Sequence, residues 1–105
     1  MVRYTTPTFQ LTLPETVDLT EASNVYVTFS KASGTVIYTK SGEDIEVSAH
    51  QVDVYLTQSE TAVFPTGAVR LQLNWTYQEG GEAKRACSEI ASVNVTPNLL
   101  NEVVE

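Results

Sequence analysis

The stretch "GAVRLQLNWTYQEGGEAKRACSEIASVNVT", residues 67–96, constrains the fold more than any other part of this chain. Apolar side chains alternate with polar ones through Val69, Leu71, Leu73, Trp75 and Tyr77, the period of a strand with one buried face. Gly80-Gly81 then separates this run from a second one, and a glycine pair in that position is a strong signal for a two-residue hairpin. A hairpin closed on these glycines sets Val69, Leu71, Leu73, Trp75 and Tyr77 opposite Ser92, Ile90, Ser88, Ala86 and Lys84, and the small Ala86 leaves room for Trp75. The reverse face pairs Gln72 with Glu89 and Thr76 with Arg85, which suits solvent. Past Ile90 the apolar parity passes to Ala91, Val93 and Val95, predicting either a one-residue bulge near Ile90-Ala91 or a strand that crosses between sheets.

The same alternation predicts strands over residues 8–13, 24–31, 35–40, 44–48, 51–56, 68–78 and 82–96. Glycine falls where the chain must reverse, in Lys31-Ala32-Ser33-Gly34 and in Ser41-Gly42-Glu43. About seven short strands at this spacing define the expected fold class, an all-β, Ig-like antiparallel β-sandwich. One stretch departs from the pattern. In "TQSETAVF" Thr57 and Glu60 have the spacing of a capping box, which predicts a short helical turn near residues 58–63, ended by Pro65 and Gly67. The expected organisation is a single domain over residues 1–96, followed by a tail or short helix over residues 97–105. In that tail Thr96 would cap, Pro97 would open the helix, and Leu99, Leu100, Val103 and Val104 would form one stripe.

A chain of 105 residues suits one core, which at this length buries roughly two-thirds of the surface of the unfolded chain. Six Lys and Arg against thirteen Asp and Glu give a net charge of −7, so the surface repels phosphate backbones and anionic lipids. Neither nucleic acid nor membrane is an expected partner, and the apolar runs fall short of the ~20 residues a membrane helix requires. No secretory signal is read at the start, where polar Thr5, Thr6 and Pro7 follow Met1-Val2-Arg3-Tyr4. Cys87 is the only cysteine, which rules out an internal disulfide and fits folding in a reducing compartment.

The search for chemistry finds no constellation. His50 and Cys87 are the only base and thiol that could pair as a dyad, but His50 is expected at a solvated loop tip and Cys87 faces outward beside Asn74. Glu43, Asp44, Glu46 and Asp53 are dense in acid, yet their spacing is not that of a calcium loop, and one cysteine with one histidine cannot make a zinc site. The sequons Asn74-Trp75-Thr76 and Asn94-Val95-Thr96 lie within predicted strands, and Glu79 and Glu82 flank Gly80-Gly81 with charge that repels phosphate. No catalytic residue, metal site or cofactor is expected. Tyr26 and Tyr55 have outward parity, with Tyr38 joining them, and exposed tyrosines stack on sugar rings or anchor protein interfaces. Together with Leu99, Leu100, Val103 and Val104 they form the expected interaction surface.

The phrases "TPTFQLTLP", "NVYVTFSKASGTVIYTK", "VYLTQSET" and "GAVRLQLNW" resemble small tail-associated proteins of phages and prophages of Gram-positive bacteria. More distantly, they are similar to the N-terminal Ig-like module of phage upper baseplate proteins. The likeness runs from about Thr5 to Val95 and rests on the order of the phrases. It implies a non-enzymatic structural or interaction protein, made in the bacterial cytoplasm and incorporated into the virion. Its implied partners are other tail or baseplate proteins, or further copies of itself. Carbohydrate or cell-surface binding through the tyrosines is the alternative reading.

Overall fold

A computed structural model describes residues 1–104, so Glu105, the end of the expected tail, lies outside the described residues. Among the described residues eight strands form: β1 (Thr8–Thr12), β2 (Ala22–Lys31), β3 (Val36–Ser41), β4 (Ile45–Ser48), β5 (Gln51–Tyr55), β6 (Gly67–Glu79), β7 (Glu82–Cys87) and β8 (Ala91–Val95). A six-residue helix, α1 (Gln58–Val63), joins β5 to β6. Two antiparallel sheets result, one ordered β1-β5-β4 and the other β3-β2-β6-β7, with β8 also paired to β6 beyond the end of β7. The order is that of an Ig-like sandwich in which β1, β5 and β4 take the places of strands B, E and D, and β3, β2, β6 and β7/β8 those of C′, C, F and G. Among the described residues no strand pairs in the first place, A, alongside β1; the N-terminal residues run instead beside the last strand, in a parallel bridge between Val2 and Thr96.

The core lies between the sheets because the inward parity of each strand is apolar. Val25, Val27 and Phe29 of β2 and Val69, Leu71, Leu73 and Trp75 of β6 face Val52 and Val54 of β5, and all are buried. An aromatic line crosses this interior: Phe9 to Phe29 at 6.0 Å, Phe29 to Phe64 at 5.4 Å, and Phe64 to Tyr38 at 6.1 Å between ring centroids.

The glycine hairpin forms in the expected register, with Trp75 opposite Ala86, Thr76 opposite Arg85 and Asn74 opposite Cys87. Gly80 and Gly81 both take positive φ, 58° and 81°, the handedness that matches the twist of a two-residue turn. The register then slips by one residue, because Leu71 lies opposite Ala91 and Val69 opposite Val93. The expected partners Ile90 and Ser92 are therefore displaced by a bulge at Glu89-Ile90, and the last strand stays in one sheet as two pieces, which makes eight strands where seven were expected. Ser88 secures the step: its hydroxyl accepts from Leu73 N at 3.0 Å and donates to Glu89 O at 2.9 Å. Gln72, expected opposite Glu89, donates its amide to Ser88 O at 2.8 Å.

The capping box of α1 forms as the spacing predicts. Thr57 Oγ1 accepts from Glu60 N, and Glu60 Oε1 accepts from Thr57 N at 2.9 Å. The helix is pinned from both sides: buried Thr61 donates to Thr5 O at 2.9 Å, and Arg3 donates to Ala62 O at its C-terminal end.

Candidate interaction surface

The three tyrosines separate onto three different surroundings. Tyr26 lies on the outer face of the larger sheet, between Ser41 of β3 and Asn74 of β6. There it borders a shallow basin of about 390 Å³ with Thr28, Thr39, Asn74, Thr76 and Arg85. Arg85 is held over this basin by Asn74 Oδ1, which accepts from its Nε at 3.2 Å and its Nη2 at 3.0 Å. Tyr55 lies on the outer face of the other sheet, so the thickness of the sandwich stands between it and Tyr26. Its phenol donates to Glu46 Oε2 at 3.0 Å, and because ionisation would forfeit that bond beside a carboxylate, its pKa is raised above the ordinary tyrosine value.

Tyr38 corrects the sequence reading. It sits opposite Phe29 and packs its ring on Phe64, facing inward. The parity of β3 explains this, since Tyr38 and Lys40 share the face turned to the core.

Lys40, unforeseen from sequence, is 7% exposed. Its ammonium donates to Tyr55 O at 2.7 Å and to Glu60 Oε1 at 2.8 Å. One carboxylate thus closes the capping box and neutralises a buried cation. Burial pushes the Glu60 pKa up, but the hydrogen bonds from Lys40 and Thr57 and the Lys40 charge outweigh it, leaving a net lowering. The signals were present in the sequence, a lysine on inward parity and a capping glutamate, but only the sandwich brings the two elements together.

Of the two forms expected for the tail, a short helix or a plain tail, the described residues take the second. Leu99 is fully exposed, and Leu100, Val103 and Val104 are about half exposed, on a segment without helical hydrogen bonding. Side-chain amides take the backbone groups that a helix would use: Asn98 Oδ1 accepts from Leu100 N at 3.1 Å, and Gln58 Oε1 accepts from Val104 N at 2.9 Å. Gln58 Nε2 also donates to Val104 O, and Asn98 Nδ2 to Arg3 O at 3.1 Å, so the segment is tied to the domain while its apolar side chains stand in solvent.

The residues weighed for chemistry lie on different elements. His50, expected in solvent, is partly buried and bonds through Nδ1 to Val17 O, while its own carbonyl accepts from Leu13 N at 2.8 Å. It therefore closes the β4–β5 turn against the loop after β1. Cys87 is exposed and faces outward beside Asn74. Glu46 and Asp53 lie opposite each other on β4 and β5, with Asp53 accepting from Gln51 Nε2 at 3.1 Å and Glu46 engaged by Tyr55. Among the described residues no three His, Cys, Asp or Glu side chains gather as metal ligands, and no helix is long and apolar enough to cross a membrane.

The sandwich is open along one side. Between β1 and the β7–β8 step runs a groove of about 460 Å³ whose apolar lining includes Leu11, Leu13, Val17, Leu71, Trp75 and Ile90. The hydrogen bonds Leu13 N to His50 O and Leu56 N to Pro7 O fix the phase of the β1–β5 ladder, so odd-numbered β1 residues bond to β5. The N–H and C=O groups of Thr8, Gln10 and Thr12 consequently point to the unpaired edge above this groove. Comparison of the chain with protein-family models, with curated proteins and with solved structures finds no match.

Proposed function

We propose that this chain is a non-enzymatic structural and interaction module, a tail or baseplate component of a phage virion that assembles with other virion proteins. The observation that carries the reading is the tail: four apolar side chains, Leu99, Leu100, Val103 and Val104, held out in solvent by Asn98 and Gln58. Scattered exposed apolar residues are ordinary, but four within six positions of one extended segment are the anchors of a binding strand. The free edge of β1 offers a second place for a neighbour to attach. The sequence resemblance across Thr5 to Val95 supplies the virion setting. Binding of glycans by a tyrosine platform is disfavoured because Tyr26 and Tyr55 lie on opposite faces and Tyr38 faces inward.

The test is peptide mass spectrometry of gradient-purified virions from a strain carrying the gene. Peptides of this chain, retained through a high-salt wash in a fixed ratio to tail proteins, are the expected result. Virions that lack the chain refute it.

A further inference from the structure

We propose that two copies of this chain pair side by side and antiparallel, each laying its segment 98–104 as an added strand along the free edge of the other's β1, over the apolar groove. This names the partner of the exposed tail, and so rests on the interaction reading above.

The receiving site is defined by the ladder phase. Thr8, Gln10 and Thr12 present unpaired N–H and C=O groups, and the place beside β1 that an Ig-like sandwich gives to its first strand carries no strand among the described residues. The groove beneath that place is lined by Leu11, Leu71 and Trp75, so an incoming strand finds hydrogen-bonding groups on one side and an apolar floor below. Pro14, with no N–H to donate, ends the receptive edge.

The donated strand fits the site in chemistry. Read as a strand, the tail places Leu99, Asn101 and Val103 on one face and Leu100, Glu102 and Val104 on the other. The first face carries no charge and holds the fully exposed Leu99, so it turns to the groove and leaves Glu102 in water, away from Glu89 on the groove wall. The bonds that now hold the segment, two between Val104 and Gln58, Leu100 N to Asn98 Oδ1 and Asn98 Nδ2 to Arg3 O, are exchanged for bonds to the β1 edge.

Exchange between copies fits the placement of tail and groove. β8 ends beside Gly67, at the α1 end of the molecule, and the tail is tied there to Gln58. The groove lies toward the other end, where Thr12 pairs with Gln51. Antiparallel pairing of two copies brings the tail end of one to the groove end of the other, and eight extended residues reach about 26 Å, half the 52 Å long axis. Area favours reciprocity. A seven-residue strand buried on one edge and one face covers on the order of 400 Å² by the spacings of strands and sheets. That is half of the ~800 Å² per partner that stable interfaces bury, and a tail given plus a groove filled makes up the whole.

The experiment is size-exclusion chromatography with light scattering across the micromolar range, on the full chain and three variants, each checked for native folding by circular dichroism. The full chain is expected at about twice 11.5 kDa. A chain truncated after Pro97, the doubly charged tail Leu99→Asp/Val103→Asp, and Gln10→Pro are each expected as folded monomers. Gln10→Pro removes only a donor on the unpaired edge and leaves the β1–β5 ladder intact. A monomeric full chain, or a dimer that survives any of the three changes, overturns the exchange. A monomer found in purified virions would overturn it while leaving the virion reading standing.

Discussion

Changing Glu60 to glutamine tests how the buried Lys40 is supported. Glutamine keeps an oxygen for Thr57 N, so the capping box persists in part, but the ammonium of Lys40 loses its counter-charge and retains Tyr55 O as its hydrogen-bond partner. Breaking a fully buried pair from one side costs about 3–5 kcal/mol. The Glu60 side chain is 21% exposed, so water partly replaces the lost charge and reduces the cost to roughly 2 kcal/mol. For a domain of this size that lowers Tm by about 10 °C. Lys40→Met removes the buried charge itself at nearly constant volume; it forfeits the bonds to Tyr55 O and Glu60 Oε1, about 1 kcal/mol each, but gains apolar burial and leaves Glu60 with Thr57 N and partial access to water, so its Tm should fall by less than that of Glu60→Gln. Thermal unfolding at neutral pH, followed by circular dichroism, measures both variants and the double variant, which should resemble Lys40→Met. Equal losses in the two single variants would refute the reasoning, because the pair would then be stabilising in itself. An unchanged Tm in Glu60→Gln would equally refute it, by showing that Lys40 is well solvated.

Acid should erase the difference between wild type and Glu60→Gln. The folded-state pKa of Glu60 is lowered, so its contribution is present above the ordinary glutamate range and is lost as pH falls through the folded value. The two melting temperatures should therefore converge under acid, and a gap that stays constant with pH would contradict the assignment. Phe64→Ala removes the centre of the aromatic line and should cost about 3–5 kcal/mol, read as a lower urea midpoint with unchanged slope. Gly81→Ala forces a side chain into left-handed backbone and should cost about 1 kcal/mol in the same assay. Ser88→Ala leaves Leu73 N without its acceptor at the bulge and should cost about 1–2 kcal/mol, with hydrogen exchange at Leu73 accelerated more than at Trp75.

The parts of the fold that were legible in the sequence are those dictated by local chemistry. The glycine pair set the β6–β7 register, the change of apolar parity after Ile90 announced the bulge, and the Thr57–Glu60 spacing announced the cap. Where the parts fail, two distant segments decide the outcome. Nothing near Val104 reveals that Gln58 will take its amide, so the tail's apolar spacing suggested a helix that side-chain hydrogen bonds displace. Parity alone put Tyr26 and Tyr55 outward, correctly, but could not say that β2 and β5 belong to different sheets. Lys40 illustrates the same limit: a lysine is expected in water until the fold supplies a carboxylate and a carbonyl within its reach.

The bridge between Val2 and Thr96 also has a mechanical consequence. Arg3 N donates to Thr96 O at 3.0 Å and Thr96 N to Met1 O at 2.7 Å, and the two segments run in the same direction. Tension that draws the chain ends apart therefore slides one segment lengthwise along the other, loading these bonds together, whereas an antiparallel pair pulled from its open end would peel one bond at a time. Under such tension the bonds of this bridge would yield together.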